Sequence, residues 1–319
     1  MATPKLIAGI DLGGTNIQIG VVRGGNKLVG AARRKTKAEE GLNGVLDRIV
    51  TGIDEACAAA GIKRARLAAV GIGAPGAVDP TTGMVLEAVN LRWDNVPLAK
   101  ILTKRLKVRT FLDNDVNVAV YGENRIGSGK NARDLLGVWL GTGIGGGLIL
   151  NGALYYGKFM TAGEIGHTIL FPGNPPGHRS LEHNCSRSAV VDRLARLINS
   201  NRKSMLTDIA EDKDISKLKS KALGRAFQEG DPLTLEVIED CAHNLGVAIS
   251  NVVTLLSIPR VVLGGGLTEA LGQSFVDLVQ EYTRFYAFPD RCKKVVVVAS
   301  KLKDDAGVFG AAMIAQDRI

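Results

Sequence analysis

The sequence has little of what several protein classes depend on. Only four of its 319 residues are cysteines, Cys57, Cys185, Cys241 and Cys292, and their wide spacing predicts neither a disulfide framework nor a four-cysteine zinc site. Aromatic residues make up 5%, and no basic stretch is interleaved with them as in single-strand binders. No apolar run reaches the length that crosses a bilayer. These absences argue against disulfide-rich secreted proteins, nucleic-acid binders and membrane proteins.

Charge and hydrophobicity point to a globular protein that attracts anions. Lys and Arg number 40 against 32 Asp and Glu, which gives a formal net charge of +8, and 45% of the residues are hydrophobic. The basic residues are dispersed, so the excess suits a small anion such as a nucleotide better than a nucleic acid. Length and apolar content provide for two cores, which predicts two lobes. Residues 1–5 are too short for a signal peptide, so we expect a cytoplasmic protein with reduced thiols.

The chain alternates β-type and helical segments, which predicts an α/β fold. Residues 6–10 and 17–22 are apolar runs joined by the glycine turn Gly13-Gly14, a pattern typical of a β-hairpin. The same order of strand, glycine turn and strand returns at residues 135–150. This repeat indicates a duplicated lobe, with one glycine-rich hairpin on each side of a cleft that can clamp a nucleotide.

Three glycine-rich turns follow strands. Residues 11–16 present backbone N–H groups, a hydroxyl and an amide to phosphate oxygens, and Asp11 at the strand end suits Mg²⁺, although a plain hairpin turn explains them equally well. Residues 141–147 contain five glycines, whereas an ordinary hairpin needs one or two, so they favour phosphate binding. Residues 264–266 suit the adenosine part. A dinucleotide-binding motif fits poorly, because strand rather than helix follows Gly147.

Two further clusters carry chemical groups. Asn114-Asp115 lies where a strand becomes a helix, so it can be a helix N-cap, or the carboxylate can be the base that accepts a sugar hydroxyl proton during phosphoryl transfer. One residue can do both. Glu164 and His167, with Glu182 in a loop rich in Pro and Gly, can hydrogen-bond vicinal sugar hydroxyls, although a lone His is more often structural.

Taken in order, these motifs resemble the ROK family of bacterial sugar kinases and related repressors. The resemblance covers nearly the whole chain and includes a stretch at residues 71–93 that looks like the family's sugar-side segments. It extends to residues 305–312, which fit the nucleotide-side end. Single motifs of this kind are weak, but six in order are specific.

The resemblance implies a two-lobed fold of the actin and hexokinase type, related to ribonuclease H, with the active-site cleft between the lobes. We expect a first lobe at residues 1–117, joined by a C-terminal helix at 304–319, and a second at 118–303. The resemblance makes Asp115 the catalytic base. The implied sugar-binding residues are Gly76, Asn90, Asn114, Glu164, His167 and Glu182. The implied nucleotide-side residues are Asp11, Gly13, Gly14, Thr15, Asn16, Gly141, Thr142, Gly143, Gly264, Gly265 and Gly266.

One departure from the family concerns zinc. Members usually carry a Cys-x-Cys-Gly-x-x-Gly-Cys-x-Glu motif after the His, whereas residues 175–182 read Pro-Pro-Gly-His-Arg-Ser-Leu-Glu. We therefore expect no zinc site, although other possible ligands lie nearby, namely His178, His183 and Cys185. Without zinc, the orientation of His167 and Glu182 depends on packing and on the prolines of the loop.

The sequence thus predicts an ATP- and Mg²⁺-dependent hexose kinase that is a homodimer and converts glucose to glucose 6-phosphate. Three alternatives stay open: a kinase for N-acetylhexosamines, mannose or fructose, a polyphosphate-dependent glucokinase, and a sugar-sensing regulator without catalysis. A repressor is disfavoured, because only ten residues precede Asp11 where repressors carry a winged helix-turn-helix.

Overall fold

The computed structural model describes residues 4–210 and 214–319. In these ranges the strands are β1 (Leu6–Leu12), β2 (Asn16–Arg23), β3 (Lys27–Lys35), β4 (Ala69–Ala74), β5 (Ala77–Asp79), β6 (Met84–Ala88), β7 (Trp93–Val96), β8 (Thr110–Asn114), β9 (Leu135–Leu140), β10 (Ile144–Leu150), β11 (Ala153–Leu154), β12 (Arg260–Gly264) and β13 (Val296–Ala299). The helices are α1 (Gly41–Ala59), α2 (Leu98–Leu106), α3 (Asp115–Ile126), α4 (Glu182–Cys185), α5 (Arg187–Asn199), α6 (Leu206–Ile209), α7 (Ser220–Gln228), α8 (Pro232–Leu256), α9 (Gly266–Leu271), α10 (Gln273–Tyr286) and α11 (Ala306–Asp317). None of these helices combines the length and apolarity needed to cross a membrane.

The first compact unit comprises the described residues up to Asn131, Leu154–Ala162 and Asp304–Ile319. Its main sheet has the order β3-β2-β1-β4-β8. The strands β1, β2 and β3 are antiparallel neighbours, while β1, β4 and β8 run parallel. Helix α1 packs on β2 and β3, and α11 packs on β1, β4 and α3. A second, antiparallel sheet has the order β5-β6-β7.

The central strands of this unit are covered by helices on both faces. Large apolar residues on one face alternate with glycines on the other. Ile10 and Ile72 join the apolar core that contains residues of α1 and α2. Gly71 points to the opposite face, where a Cβ atom would overlap the backbone carbonyl oxygen of Ala311 in α11. A glycine is needed here because only a bare backbone lets the helix approach the strand this closely.

The second unit comprises Ala132–Ala153 and the described part of Gly163–Lys303. Its sheet has the order β11-β10-β9-β12-β13, with β9 and β10 antiparallel and β9, β12 and β13 parallel. Helix α8 packs on α10 and α5. Its start is capped, because the Asp231 carboxylate accepts a hydrogen bond from the Thr234 amide at 2.9 Å, and Pro232 occupies the first turn.

Both hairpins predicted from the sequence, at residues 6–22 and 135–150, are present. The lobe boundary predicted after residue 117 lies inside α3, and the chain passes to the second unit only after Asn131. Leu154–Ala162, which we expected in the second lobe, groups with the first unit.

Candidate active site

The turn after β1 is a hydrogen-bonded, partly exposed loop. The Gly13 amide donates to the Asn16 carbonyl oxygen at 2.9 Å, which closes the turn. The buried Thr36, on the segment after β3, holds it from below: its hydroxyl donates to the Gly13 carbonyl oxygen at 2.6 Å and its amide donates to the Thr15 carbonyl oxygen at 2.9 Å. Gly14 and Thr15 remain exposed. The loop therefore presents backbone to a ligand in a fixed geometry, as phosphate binding requires.

Asp11, at the end of β1, has an unusual carboxylate. Its pKa is raised to about 7, chiefly by burial and also by the neighbouring carboxylates of Asp115 and Asp304, while Arg33 opposes the rise. Gly307 in the first turn of α11 lies so close that a Cβ atom there would be 2.7 Å from the carboxyl carbon of Asp11. Neighbouring carboxylates repel one another, and a bound cation relieves that repulsion.

These carboxylates fit Mg²⁺ held mainly through water and phosphate oxygens. Within the described residues no three His, Cys, Asp or Glu side chains converge closely enough to hold a metal ion by themselves. Mg²⁺ retains several waters and commonly takes one or two carboxylates plus substrate phosphates. Asp11, beside the glycine turn, matches that donor set.

The end of β8 and the start of α3 place Asn114 and Asp115. The side-chain oxygen of Asn114, Oδ1, caps α3 by accepting hydrogen bonds from the backbone amides of Val116 at 2.9 Å and Asn117 at 3.0 Å. The side-chain nitrogen of Asn114, Nδ2, donates to the Gly76 carbonyl oxygen at 3.1 Å. Asn114 is therefore the helix N-cap, and Asp115 is the first helical residue, partly exposed beside it.

Gly76 and Asn90 lie next to these groups. Gly76 has φ +88°, and a Cβ atom on it would overlap the carbonyl oxygen of Glu87, so only glycine forms this turn. Asn90, in the single helical turn Val89–Leu91, is exposed, and its Cβ is 3.4 Å from the position that a Cβ on Gly14 would occupy. The sugar-side and phosphate-side residues predicted for the first unit are thus neighbours.

A buried carboxylate behind Asp115 was not predicted from the sequence. Asp113 is 1% exposed; it accepts hydrogen bonds from the Asn114 amide at 2.9 Å and from the Tyr156 hydroxyl at 2.6 Å, and the Arg318 guanidinium lies 3.5 Å away. Burial raises the pKa of Asp113, and these donors oppose the rise. The cluster fixes the strand end that carries the candidate base.

In the second unit, the turn at residues 141–143 has a comparable build. The Gly141 amide donates to the Gly143 carbonyl oxygen at 2.9 Å. The Ile144 amide donates to the carboxylate of Glu182 at 2.7 Å. The Arg187 amide donates to the Gly141 carbonyl oxygen at 3.0 Å, and its guanidinium donates to the Thr142 hydroxyl at 3.0 Å. Arg187 was not among the sequence predictions.

Glu164 precedes the single helical turn Ile165–His167, and His167 is the last residue of that turn. Their side chains are 45% and 67% exposed, and the His167 Nε2 atom lies 4.0 Å from a Glu164 oxygen. Burial raises the pKa of Glu164; His167 opposes this rise, and Glu182 adds to it, so the three predicted sugar ligands of this unit interact electrostatically. Gly166 allows the turn to lie on β10, because a Cβ there would overlap the Ile144 carbonyl oxygen.

The third glycine segment, residues 264–266, is explained locally by packing. A Cβ on Gly264 would lie 2.5 Å from the Trp139 ring. Gly265 has φ +88°, and a Cβ on it would overlap the Leu140 carbonyl oxygen. Gly266 begins α9. Its adenosine-binding role stays a prediction.

The loop at residues 168–184 is held by hydrogen bonds between backbone groups. The Leu170 amide donates to the Arg179 carbonyl oxygen at 2.9 Å, and the Leu181 amide donates to the Thr168 carbonyl oxygen at 3.0 Å. Two of the possible metal ligands have other partners. His183 is hydrogen-bonded to the Ser180 hydroxyl at 2.8 Å, and the fully buried Cys185 donates to the Cys241 carbonyl oxygen. Among the described residues no three of these donor types lie close enough together to hold one ion, so the residues present do not fit zinc.

Comparison with known proteins gives consistent matches over the whole chain. The family model described as the ROK family matches residues 7–318. A glucokinase of Thermotoga maritima is 33% identical over 322 residues, which cover 99% of each protein. A xylose repressor of Caldicellulosiruptor bescii is 28% identical over 258 residues, which cover 78% of this chain and 63% of the repressor.

A solved structure shows a similar backbone. The ROK family glucokinase from Streptomyces griseus, in complex with glucose and AMPPNP, superposes with a TM-score of 0.85 at 28% identity. The alignment covers 98% of this chain and 99% of that protein.

Proposed function

We propose that this chain, which belongs to the ROK family and is a sugar kinase, uses ATP to phosphorylate glucose at the terminal hydroxymethyl group. Its α/β fold is of the actin and hexokinase type found in that family. One observation supports the proposal: Asp11, the turn at residues 13–16 and Asp115 lie together in the first unit. Beside them, the Asn114 side chain is hydrogen-bonded to Gly76.

In the proposed reaction Asp115 accepts the proton of the sugar hydroxyl as the oxygen attacks the γ-phosphorus. One O–P bond forms, the bond from the γ-phosphorus to the β,γ-bridging oxygen breaks, and ADP leaves. Asn114 caps α3 and donates to Gly76, so it holds Asp115 at a fixed helix start. Asn90 beside Gly14 is suited to orient the sugar. Mg²⁺, when bound beside Asp11, would neutralise phosphate charge.

The remaining predicted ligands complete the proposal. The turns at residues 13–16 and 141–143 bind phosphate oxygens with backbone N–H groups, and residues 264–266 approach the adenosine. Glu164, His167 and Glu182 bind sugar hydroxyls. This assignment leaves Glu182 with a second task, because its carboxylate also accepts the Ile144 amide. A cytoplasmic location belongs to the same proposal, since ATP is the donor.

A coupled ADP-release assay tests the proposal. Mg-ATP is offered with glucose, mannose, fructose, N-acetylglucosamine or N-acetylmannosamine, with a blank lacking sugar. We expect sugar-dependent release that is fastest with glucose. A different preferred sugar would replace glucose as the substrate, and release only with polyphosphate would change the donor. No release with any sugar or donor would indicate a sensor, the role that the repressor among the relatives suggests.

We also propose that the protein is a homodimer. Several apolar side chains of the second unit lie on its surface, including Leu255 at 82%, Phe285 at 73% and Phe288 at 71% exposure. Such surfaces often mark protein interfaces. Light scattering coupled to size exclusion should give twice the chain mass of 33.7 kDa, and a monomer mass would contradict the proposal.

A further inference from the structure

Helix α5 begins directly at the second glycine turn and brings an arginine to it. Ser186 caps the helix by accepting a hydrogen bond from the Ala189 amide at 3.2 Å, which makes Arg187 the first helical residue. The Arg187 amide binds the Gly141 carbonyl oxygen and its guanidinium binds the Thr142 hydroxyl, each at 3.0 Å. Arg187 is therefore bound to the turn through both its backbone amide and its guanidinium.

A carboxylate lies against the turn at residues 141–143, and the guanidinium of Arg187 can offset its negative charge. This is the carboxylate of Glu182, which accepts the Ile144 amide, and a Cβ on Gly143 would overlap one of its oxygens. A negative charge at this distance opposes the approach of a phosphate group. Backbone N–H groups carry only partial charges, so a cation is needed to offset the carboxylate.

Arg187 differs from two of the arginines near it. Arg193, six residues further along α5, is paired with Asp240 at 2.5 Å, and Arg202 is paired with Glu236 at 2.8 Å. The side-chain partner of Arg187 is an uncharged hydroxyl, and the described residues place no carboxylate within ion-pair distance of it. A guanidinium has five N–H donors, so the bond to Thr142 leaves most of them for another acceptor.

We propose that Arg187 is a catalytic residue that binds the transferring phosphoryl group. The inference rests on the proposed kinase function. Charge on the three equatorial phosphoryl oxygens must be stabilised while the sugar oxygen attacks, and a fixed guanidinium does this without reorganisation. Arg187 forms no covalent bond and transfers no proton. The hydrogen bond to Thr142 fixes the position of the guanidinium before the donor binds.

The test compares Arg187→Ala, Arg187→Lys and the control Arg193→Ala, which removes an arginine of the same helix. We expect Arg187→Ala to lower kcat roughly a hundred-fold with the KM for sugar nearly unchanged. The Lys variant should retain part of the activity, and guanidinium ions in the buffer should partly restore the Ala variant. The control should stay within about twofold of the wild type.

A binding measurement separates this inference from the proposed function. AMPPNP should bind the wild type more tightly than ADP does, and Arg187→Ala should remove most of that difference while leaving ADP affinity unchanged. If the wild-type protein shows no kinase activity, the proposed function fails and the binding comparison still decides on Arg187. Normal turnover in Arg187→Ala, or an unchanged preference for AMPPNP over ADP, would overturn the inference.

Discussion

Asp11 and Asp115 bring two carboxylates into one small region at the ends of β1 and β8. Each has a different task in the proposed reaction, since one faces the donor phosphates and the other faces the sugar hydroxyl. The charge of Asp115 is one of the causes that raise the pKa of Asp11. The titrations of the two residues are therefore coupled, and removing the charge of one changes the pKa of the other.

We expect Asp115→Asn to lower kcat about a thousand-fold while sugar affinity changes little. The amide cannot accept the proton, whereas Asn114 keeps its cap on α3 and its bond to Gly76. Steady-state ADP release and calorimetric titration with glucose measure the two quantities. Near-normal turnover would exclude Asp115 as the base.

Asp11→Asn should make the metal-free protein more stable at pH 8. A carboxylate whose pKa rises on folding binds more protons in the native state, so stability falls as the pH increases from about 4 to about 7, and the full cost is present above that range. Removing the charge should raise the free energy of unfolding by about 2 kcal/mol at pH 8, because each pKa unit corresponds to about 1.4 kcal/mol and the partly exposed group stays partly solvated.

Urea unfolding at pH 8 and pH 5 measures this effect. The gain should be smaller at pH 5, where native Asp11 is already protonated. An equal gain at both pH values would show that the charge of Asp11 is not its cause. The same variant should lose most of its kinase activity, since Asp11 is the residue suited to Mg²⁺.

Motif reading is limited to side chains whose partners lie within a short stretch of chain, such as the Asn114 cap on α3. It could not find the partners of Asp113, because Tyr156 and Arg318 are separated from it by 43 and 205 residues and lie in no motif. Arg187 was not predicted for the same reason, since its hydrogen bond to Thr142 spans 45 residues. Such contacts are set by how strands and helices pack, and local spacing carries no signal of them.

At the scale of elements, the approach of α11 to the central strands depends on glycine. Gly71→Ala should lower the free energy of unfolding by about 3 kcal/mol, because the added methyl would overlap the Ala311 carbonyl oxygen and force the helix away from β4. Gly173→Ala is a matched control, since a Cβ there would meet no atom within 4 Å. Chemical denaturation of both variants makes the comparison, and a similar small loss in each would contradict the close approach.

The regular elements with strong periodicity were predictable from the sequence. The strands β1 and β2 form the hairpin expected around the Gly13-Gly14 turn, and β9 and β10 form the hairpin expected at residues 135–150. The small sheet of β5, β6 and β7 was not predicted, because its strands are three to five residues long and alternate too briefly to reveal a period.

At the scale of the molecule, the first unit depends on a segment that is distant in sequence. Residues 306–315 of α11 are all buried, and they cover one face of β1 and β4. Removing residues 304–319 should therefore abolish cooperative unfolding of the first unit. Hydrogen exchange should show protection lost in β1 and β4 but retained in β12. Full protection of β1 in the shortened chain would contradict this prediction.

The two-unit organisation was predictable because the hairpin occurs twice, but its boundary was not. The return of Leu154–Ala162 to the first unit leaves no mark in composition, since it is a short segment between β10 and Glu164. Its contribution, the Tyr156 hydroxyl on Asp113, appears only when the chain is folded.

The late position of α11 also governs the order of events during synthesis. The ribosome makes residues 304–319 after all of the second unit, so β1 and β4 emerge early and remain uncovered on one face until translation has passed Lys303. At rates of about 5–20 residues per second, this interval lasts on the order of ten seconds or more. During it the exposed strands of a nascent chain are a target for chaperones, and the unit that is made first is the last to be completed.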